Sequence, residues 1–132
     1  MNKITETDEE KARLSYAINQ ASDGVVITDP NKPGNPVIYV NETFTRITGY
    51  ESHEVLGRNC RFLQGPKTDP HTRFEIHKAV EEKRSVKVAI LNYRKNGQPY
   101  WNGLRISPVF SQEGKLLYFL GFQADISDRI RM

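Results

Sequence analysis

Hydrophobic residues change their spacing along this chain, and the changes predict where helices give way to strands. Near the N-terminus the spacing is helical, and the apolar residues that follow it are Leu14, Ala17, Ile18 and Ala21. A capping box predicts the start of this helix, with Thr7 as the cap and Glu10 reaching back to it. Residues 24–29 and 37–40 are rich in β-branched side chains, and a proline-rich loop separates them. They predict two strands that pair as a hairpin with a long connection.

The middle of the chain predicts short helices separated by glycines and prolines. Asn41 is suited to cap a helix that ends at Gly49, and Ser52 is suited to cap a second short helix. A longer helix is predicted to start from a cap at Thr68 or Asp69 and to end near residue 83. Its apolar face carries Ile76, Ala79 and Val80.

The last third of the chain alternates between apolar and polar residues with a period of two, which is typical of strands. The alternating segments are residues 85–95, 99–110 and 115–125, and short turn sequences separate them. The chain thus predicts two strands, several short helices and three long antiparallel strands, in that order. This order indicates an α+β fold, with a five-stranded antiparallel sheet and the helices on one of its faces.

Three amide side chains share strand faces with apolar residues: Asn92, Asn102 and Gln123. A buried amide without partners costs roughly 1–3 kcal/mol, so each of these groups needs hydrogen bonds. They pair with one another or with the backbone, or the strand faces are assigned wrongly, or they bind a flat heteroaromatic ligand. The polar edge of such a ligand would need the alternating donors and acceptors that amides offer.

The turn at Asn96 and Gly97 decides whether Asn92 and Asn102 face the same way. A two-residue loop pairs position 92 with position 101 and places the two amides on opposite faces. A three-residue loop over residues 95–97, with Gly97 in the left-handed conformation, pairs position 92 with position 100. That register keeps both amides on one face, so we predict the bulged hairpin.

Composition narrows the class of protein. The chain has 132 residues, which suggests one domain, and its net charge of +3 comes from scattered basic residues that predict neither a nucleic-acid nor a membrane partner. Its one cysteine, Cys60, excludes an intrachain disulfide and fits a reducing, intracellular setting. No apolar stretch approaches the roughly 20 residues that span a bilayer, and the N-terminus lacks the apolar region of a secretory signal. His53 and His71 have no partners at metal-ligand spacing, so no metal site is predicted.

Residues 57–65 read Gly-Arg-Asn-Cys-Arg-Phe-Leu-Gln-Gly, and this run resembles the signature motif of the LOV domains. LOV domains are the flavin-binding, blue-light-sensing branch of the PAS fold. Further segments resemble the same family in the same order: residues 24–29, 39–50, 92–97, 101–109 and 121–127. The resemblance implies a sensor domain with the PAS fold over residues 22–127, flanked by residues 1–21 and 128–132.

The resemblance also implies that the chain binds FMN without a covalent bond in the dark. Blue light then drives a reversible bond between the sulfur of Cys60 and flavin carbon C4a. Gln123 matches the glutamine that contacts flavin O4 and N5 and relays the signal, and Arg61 matches a phosphate ligand. Other implied cofactor contacts are Thr28, Asn35, Asn59, Gln64, Asn92 and Asn102, and the implied pocket liners are Val26, Leu63, Leu104, Ile106, Phe119 and Gly121.

One position departs from the family pattern. His77 lies seventeen residues after the cysteine, where the family often has a second phosphate-binding arginine. It is either a solvated helix residue or a cofactor contact that binds phosphate when protonated, with Lys78 or Arg73 assisting. The departure also bears on whether FMN is preferred to riboflavin.

The outer face of the last strands is apolar, and we expect the N-terminal helix or a second chain to cover it. Its residues are Leu91, Tyr93, Leu116, Tyr118, Leu120 and Phe122. The resemblance implies a cytoplasmic photoreceptor that forms a homodimer through this face or through the flanking helices and is not an enzyme. The competing functions are a light-insensitive PAS module for interaction or redox sensing, and a flavin-dependent redox enzyme. The sequence has no nicotinamide fingerprint and no substrate acid–base pair, which disfavours the enzyme.

Overall fold

The structure is a computed structural model that describes residues 8–130, with side chains from residue 12 onward except that of residue 15. The helices are α1 (Asp8–Asn19), α2 (Glu42–Thr48), α3 (Ser52–Val55), α4 (Pro70–Glu81) and α5 (Ser127–Ile130), and one 3₁₀ turn spans Cys60–Leu63. The strands are β1 (Gly24–Thr28), β2 (Val37–Val40), β3 (Val86–Tyr93), β4 (Pro99–Phe110) and β5 (Leu116–Asp125). No helix in this described range is long and apolar enough to cross a bilayer.

The strands form one antiparallel sheet in the order β2-β1-β5-β4-β3. Because β5 lies between β1 and β4, the last strand joins the N-terminal hairpin to the C-terminal one. In this register Gly121 pairs with Val26, and Gln123 pairs with Leu104. A core cluster lies on the inner side of the sheet and consists of Val26, Val37, Val40, Phe44, Val55 and Leu63. The α+β fold with a five-stranded antiparallel sheet and short helices is therefore confirmed.

The turn between β3 and β4 has the predicted bulge. Asn92 pairs with Tyr100, and the backbone N–H of Arg94 donates to the carbonyl oxygen of residue 98 over 2.9 Å, so three residues form the loop. Gly97 has a φ of +89°, which lies in the left-handed region that favours glycine. Asn92 and Asn102 consequently lie on the same face of the sheet.

Helix α2 begins and ends where the sequence predicts, and its cap also joins three elements. The side-chain oxygen of Asn41 accepts from the backbone N–H groups of Phe44 (3.0 Å) and Val25 (2.8 Å). Its amide nitrogen donates to the carbonyl oxygen of Ile18 at the end of α1 (2.8 Å). Gly49 ends the helix with a φ of +81°. One buried amide thus holds α1, β1 and α2 together.

Helix α4 starts from Asp69, one of the two predicted caps, and ends at Glu81, slightly before the predicted end. It stops there because Lys83 has a φ of +57°, outside the helical region. Thr68, the other candidate, donates its hydroxyl to the carbonyl oxygen of Leu91 over 2.6 Å. It therefore anchors the segment before the helix to the edge strand β3.

The structure differs from the sequence predictions for α3 and α1. The prediction that Ser52 caps α3 is wrong, because Ser52 is the first helical residue and Glu51 is the cap. The backbone N–H of Glu51 donates to Oε1 of Glu54 over 2.8 Å, so the start of this helix is satisfied without a hydroxyl. The predicted cap of α1, Thr7, lies outside the described residues. Leu14 on α1 is 52% exposed, so the predicted apolar face of this helix is largely open to solvent.

Candidate functional site

A cavity of about 330 Å³ lies between the inner face of the sheet and the helical middle segment. Its volume is within the range of small-molecule sites, roughly 300–1,000 Å³. All sixteen site residues predicted from the sequence line it: Val26, Thr28, Asn35, Asn59, Cys60, Arg61, Leu63, Gln64, His77, Asn92, Asn102, Leu104, Ile106, Phe119, Gly121 and Gln123.

Four further residues line the cavity: Arg73, Ile76, Val80 and Ile90. The sequence carried a signal for each of them, and for Arg73 this was its place beside His77 as an assisting cation. Ile90 alternates with Asn92 on β3, and Ile76 and Val80 belong to the predicted apolar face of α4. That helix face covers a ligand cavity as well as the protein core, which hydrophobic spacing alone does not distinguish.

The 3₁₀ turn places Cys60 against the cavity and is fixed at both ends. At its start, the side-chain oxygen of Asn59 accepts from the backbone N–H of Arg61 over 2.9 Å. The amide nitrogen of Asn59 donates to the carbonyl oxygen of Gly34 over 2.8 Å, which ties the turn to the loop after β1. At its end, Leu63 is only 2% exposed and enters the core. The position of Cys60 therefore depends on residues from two separate loops.

Desolvation of the Cys60 sulfur changes its acid–base behaviour. Burial raises the pKa of this thiol from its ordinary value of 9.0 to about 12. The group therefore carries its proton at neutral pH. Because thiolates and not thiols are the usual cysteine nucleophiles, Cys60 is unsuited to attack a substrate unaided. Any reaction at this sulfur needs a partner that is activated independently.

The amides on β3 and β4 form one polar wall of the cavity. Asn102 donates its side-chain N–H to the side-chain oxygen of Asn92 over 3.0 Å, and Asn92 donates to the carbonyl oxygen of Leu91 over 3.2 Å. Pairing with each other and with the backbone, one of the sequence alternatives, thus occurs. It does not satisfy every group, because three buried oxygens have no hydrogen-bond partner among the described residues: Thr28 Oγ1, Asn35 Oδ1 and Asn102 Oδ1. All three residues line the cavity, so its wall fits a ligand with polar atoms along one edge.

Gln123 on β5 completes this wall. It is 2% exposed, and its side-chain oxygen accepts from the hydroxyl of Tyr100 over 3.2 Å. Tyr100 is itself 1% exposed and does not line the cavity. With its oxygen bound on the protein side, Gln123 has its amide nitrogen left to donate toward the cavity.

The mouth of the cavity is cationic. Arg61, Arg73 and His77 are exposed side chains that line it, and no carboxylate among the described side chains lines the cavity. A more open pocket next to it shares Arg61 and Arg73 and adds Arg58. Guanidinium groups bind phosphate and carboxylate oxygens in pairs, so this mouth fits an anionic end of a ligand. The cavity therefore combines a polar edge, apolar walls and an anion-binding entrance.

Comparisons with known proteins agree on one family. A profile of the PAS domain matches residues 22–128. The blue-light-activated histidine kinase of Brucella anthropi is 50% identical over 103 residues, which are 78% of this chain and 21% of that protein. The light-state structure of the blue-light photoreceptor Aureochrome1 LOV is 37% identical, with a TM-score of 0.79, and covers 86% of this chain and 88% of that one. A light-oxygen-voltage domain structure that concerns a flavin analogue is 43% identical, with a TM-score of 0.82, and covers 89% and 87%.

The profile match defines the class of the protein as a PAS domain. The two solved structures narrow this class, because each matches the chain over most of both lengths. The chain belongs to the LOV domains, as its cysteine motif predicts. It spans about a fifth of the length of the Brucella relative.

Proposed function

We propose that this chain is a blue-light photoreceptor domain that binds FMN without a covalent bond and responds through a reversible bond at Cys60. The observation that carries the proposal is the shared cavity. Cys60, the amide wall and the three unpartnered buried oxygens all belong to its lining. The names of the Brucella and aureochrome relatives support light sensing, and the description of the third relative supports a flavin.

When bound, the flavin supplies the absorption of blue light and an activated carbon, C4a. The thiol of Cys60 would supply both the sulfur that bonds to this carbon and the proton that flavin N5 takes up. Both would return to the cysteine in the dark, so no outside oxidant or reductant would be needed. The raised pKa of Cys60 supports this scheme, because the thiol brings its own proton at neutral pH.

The remaining lining residues bind and orient the ligand in this proposal. Asn92 and Asn102 hold the polar edge of the ring, and Gln123 donates to it from the neighbouring strand. Arg61 binds the phosphate at the mouth, with Arg73 and His77 beside it. Further polar contacts come from Thr28, Asn35, Asn59 and Gln64, and the apolar walls come from Val26, Leu63, Leu104, Ile106, Phe119 and Gly121.

We assign the sensor to residues 22–127 and the flanks to residues 1–21 and 128–132. The signal leaves along β5, because alternate residues of this strand reach opposite faces of the sheet. A homodimer contact on the outer sheet face or the flanks would receive it, in the cytoplasm. The chain itself is a receptor in this proposal and carries out no turnover chemistry.

The test is the visible spectrum of the purified chain before, during and after blue light. We expect a flavin band that bleaches in the light and recovers in the dark. Cys60→Ala should retain the flavin and lose the bleaching, and Cys60→Ser is the matched control that keeps a polar group of similar size. Flavin released by heating should be FMN by chromatography. A colourless protein, or bleaching that survives Cys60→Ala, contradicts the proposal, whereas bound flavin that never bleaches favours the light-insensitive module.

A further inference from the structure

Tyr100 carries a buried hydroxyl that the ligand cavity does not explain. Its side chain is on the inner face of β4, two residues before Asn102, yet it is not part of the cavity lining. Burying a hydroxyl costs free energy unless it finds a hydrogen-bond partner. The partner of Tyr100 is the side-chain oxygen of Gln123, over 3.2 Å. A phenylalanine would fill the same space without that cost, so the hydroxyl needs a reason.

The surroundings of Tyr100 favour its role as a donor. The guanidinium carbon of Arg94 lies 4.5 Å from the centre of the Tyr100 ring. Arg94 is held there by Asp125, with 2.7 Å between Nη2 and Oδ2. Burial raises the pKa of Tyr100, so its hydroxyl keeps its proton across the neutral range. A cation over the ring withdraws electron density from it, which favours donation by the hydroxyl over acceptance.

The amide of Gln123 has two orientations, and Tyr100 distinguishes them. With Oε1 toward Tyr100, the hydroxyl donates and Nε2 is left for the cavity. If the amide rotates by half a turn, Nε2 meets the hydroxyl oxygen, which must then accept. The hydroxyl permits both states but prefers the first. A phenylalanine at this position has no hydroxyl and would favour neither orientation of the Gln123 amide.

We propose that Tyr100 is a positioning residue that holds the Gln123 amide with its nitrogen toward the ligand and thereby shortens the lifetime of the light-formed bond at Cys60. This inference rests on the proposed function. The return to the dark state restores the amide orientation that Tyr100 favours, so losing the hydroxyl slows that return. One neutral hydrogen bond corresponds to a change in recovery rate of about 2- to 10-fold.

Tyr100→Phe in the flavin-bound chain is the direct test, and Tyr93→Phe is its control. The hydroxyl of Tyr93 accepts from the backbone N–H of Lys67 over 3.0 Å and does not contact Gln123, so this variant removes a hydroxyl on the neighbouring strand only. We expect Tyr100→Phe to recover about 2- to 10-fold more slowly in the dark and Tyr93→Phe to recover at the unsubstituted rate. In the dark, the ¹⁵N and ¹H resonances of the Gln123 side-chain amide should shift in Tyr100→Phe and stay in place in Tyr93→Phe.

A double substitution separates positioning from general packing. If Tyr100 acts through Gln123, then Tyr100→Phe should change recovery in the unsubstituted chain but not in a Gln123→Leu background. Equal slowing in both backgrounds, or unshifted Gln123 resonances in Tyr100→Phe, overturns the role of Tyr100. Absence of reversible bleaching in the unsubstituted chain overturns the proposed function itself, and the two failures are therefore distinguishable.

Discussion

The two faces of β5 are built for different purposes. On the inner face, Gln123 is 2% exposed and shares a cavity with the amides of β3 and β4. On the outer face, Phe122 and Leu120 are only half-buried, and Tyr118 is 41% exposed. The inner face carries buried polar atoms without hydrogen-bond partners in the described part of the chain, and the outer face carries apolar side chains that remain partly exposed. Successive residues of one strand thus connect a ligand site to a surface suited to a partner.

The outer face is partly covered within the described residues. Ile126, just before α5, lies over Gly103, where a Cβ would come within 3.2 Å of its side chain. The guanidinium carbon of Arg105 lies 4.8 Å from the ring centre of Phe122. Tyr93, which strand alternation places on the outer face, is half-buried, and its ring packs against Gly65 at the edge of the sheet. The remaining open area is therefore concentrated on β5 and the end of β4.

The largest effect should come from adding one carbon to the inner face. A Cβ on Gly121 would lie 2.7 Å from Cγ1 of Val26, its partner on the neighbouring strand β1. We expect Gly121→Ala to weaken flavin binding about tenfold or more, because overpacking costs roughly 1–3 kcal/mol. Equilibrium titration of the flavin-free chain with flavin measures this loss of affinity.

The matched controls use the same contact and the opposite face. Adding Val26→Ala to Gly121→Ala should restore most of the affinity, since it removes the colliding atom. Leu120→Ala, one residue away on the outer face, should leave flavin affinity within about twofold. Unchanged binding in Gly121→Ala would show that the cavity wall yields and does not select the ligand by shape.

Alkaline pH should expose the cost of burying Cys60. The folded thiol titrates at about 12 and the unfolded one near 9.0, so the folded state binds this proton more tightly. Its contribution to the free energy of unfolding is complete below pH 9.0 and is lost as the pH rises toward about 12. The free energy of unfolding, measured with urea across this pH range, should fall more steeply for the unsubstituted chain than for Cys60→Ala. Parallel slopes would mean that the sulfur is accessible to water.

Two buried threonines test whether the unmet hydrogen bonds belong to the ligand. Thr28 Oγ1 has no partner among the described residues, whereas the hydroxyl of Thr48 donates to the carbonyl oxygen of Phe44 over 2.9 Å. We expect Thr28→Val to stabilise the flavin-free chain by up to about 1 kcal/mol and to weaken flavin binding. Thr48→Val should destabilise the chain by roughly 1–3 kcal/mol, measured by urea unfolding. A change of the same sign in the free energy of unfolding of both variants would contradict this distinction.

A substitution on the outer face should leave flavin binding unchanged and alter the association between chains. Tyr118→Ser removes an exposed ring on β5 without touching the cavity lining. We expect flavin affinity and bleaching to stay within about twofold. Association in the proposed homodimer should weaken by a few-fold, because one rim contact contributes about 1 kcal/mol or less. Light scattering in the dark and under blue light measures the association. A changed bleaching rate would mean that the two faces are more tightly coupled than alternation alone requires.

The sequence predicted the inner face better than the outer one, for a physical reason. Strand alternation and loop length fix which side chains share a face, so the bulge at Gly97 was enough to bring Asn92 and Asn102 together. Contacts between residues out of register are harder to foresee. Tyr100 reaches Gln123 although the partner of Gln123 on β4 is Leu104, so this contact depends on sheet twist and side-chain length.

Helix ends show the same limit at smaller scale. Several polar residues near a helix start are able to cap it, and the backbone path selects among them. For α3 that selection fell on Glu51, one residue before the serine that propensity favours. The face of α1 was predicted from spacing, but Leu14 stays exposed because spacing does not say what a helix packs against. Periodicity therefore predicts elements and faces, and it leaves their partners undetermined.

The smallest expected effect concerns the mouth of the cavity, where His77 stands in place of a family arginine. The side chain is exposed, so solvent weakens its contact with a phosphate and its contribution to phosphate binding is small. His77→Arg supplies a permanent guanidinium and should tighten FMN by about 2- to 5-fold while leaving riboflavin, which has no phosphate, unchanged. His71→Arg is the matched control, because His71 is exposed on the same helix and does not line the cavity. Titration of both flavins separates phosphate recognition from ring recognition. If His71→Arg tightens FMN equally, the effect is the general positive field of the chain; if neither does, Arg61 and Arg73 already saturate the phosphate, and the departure at His77 costs this domain nothing.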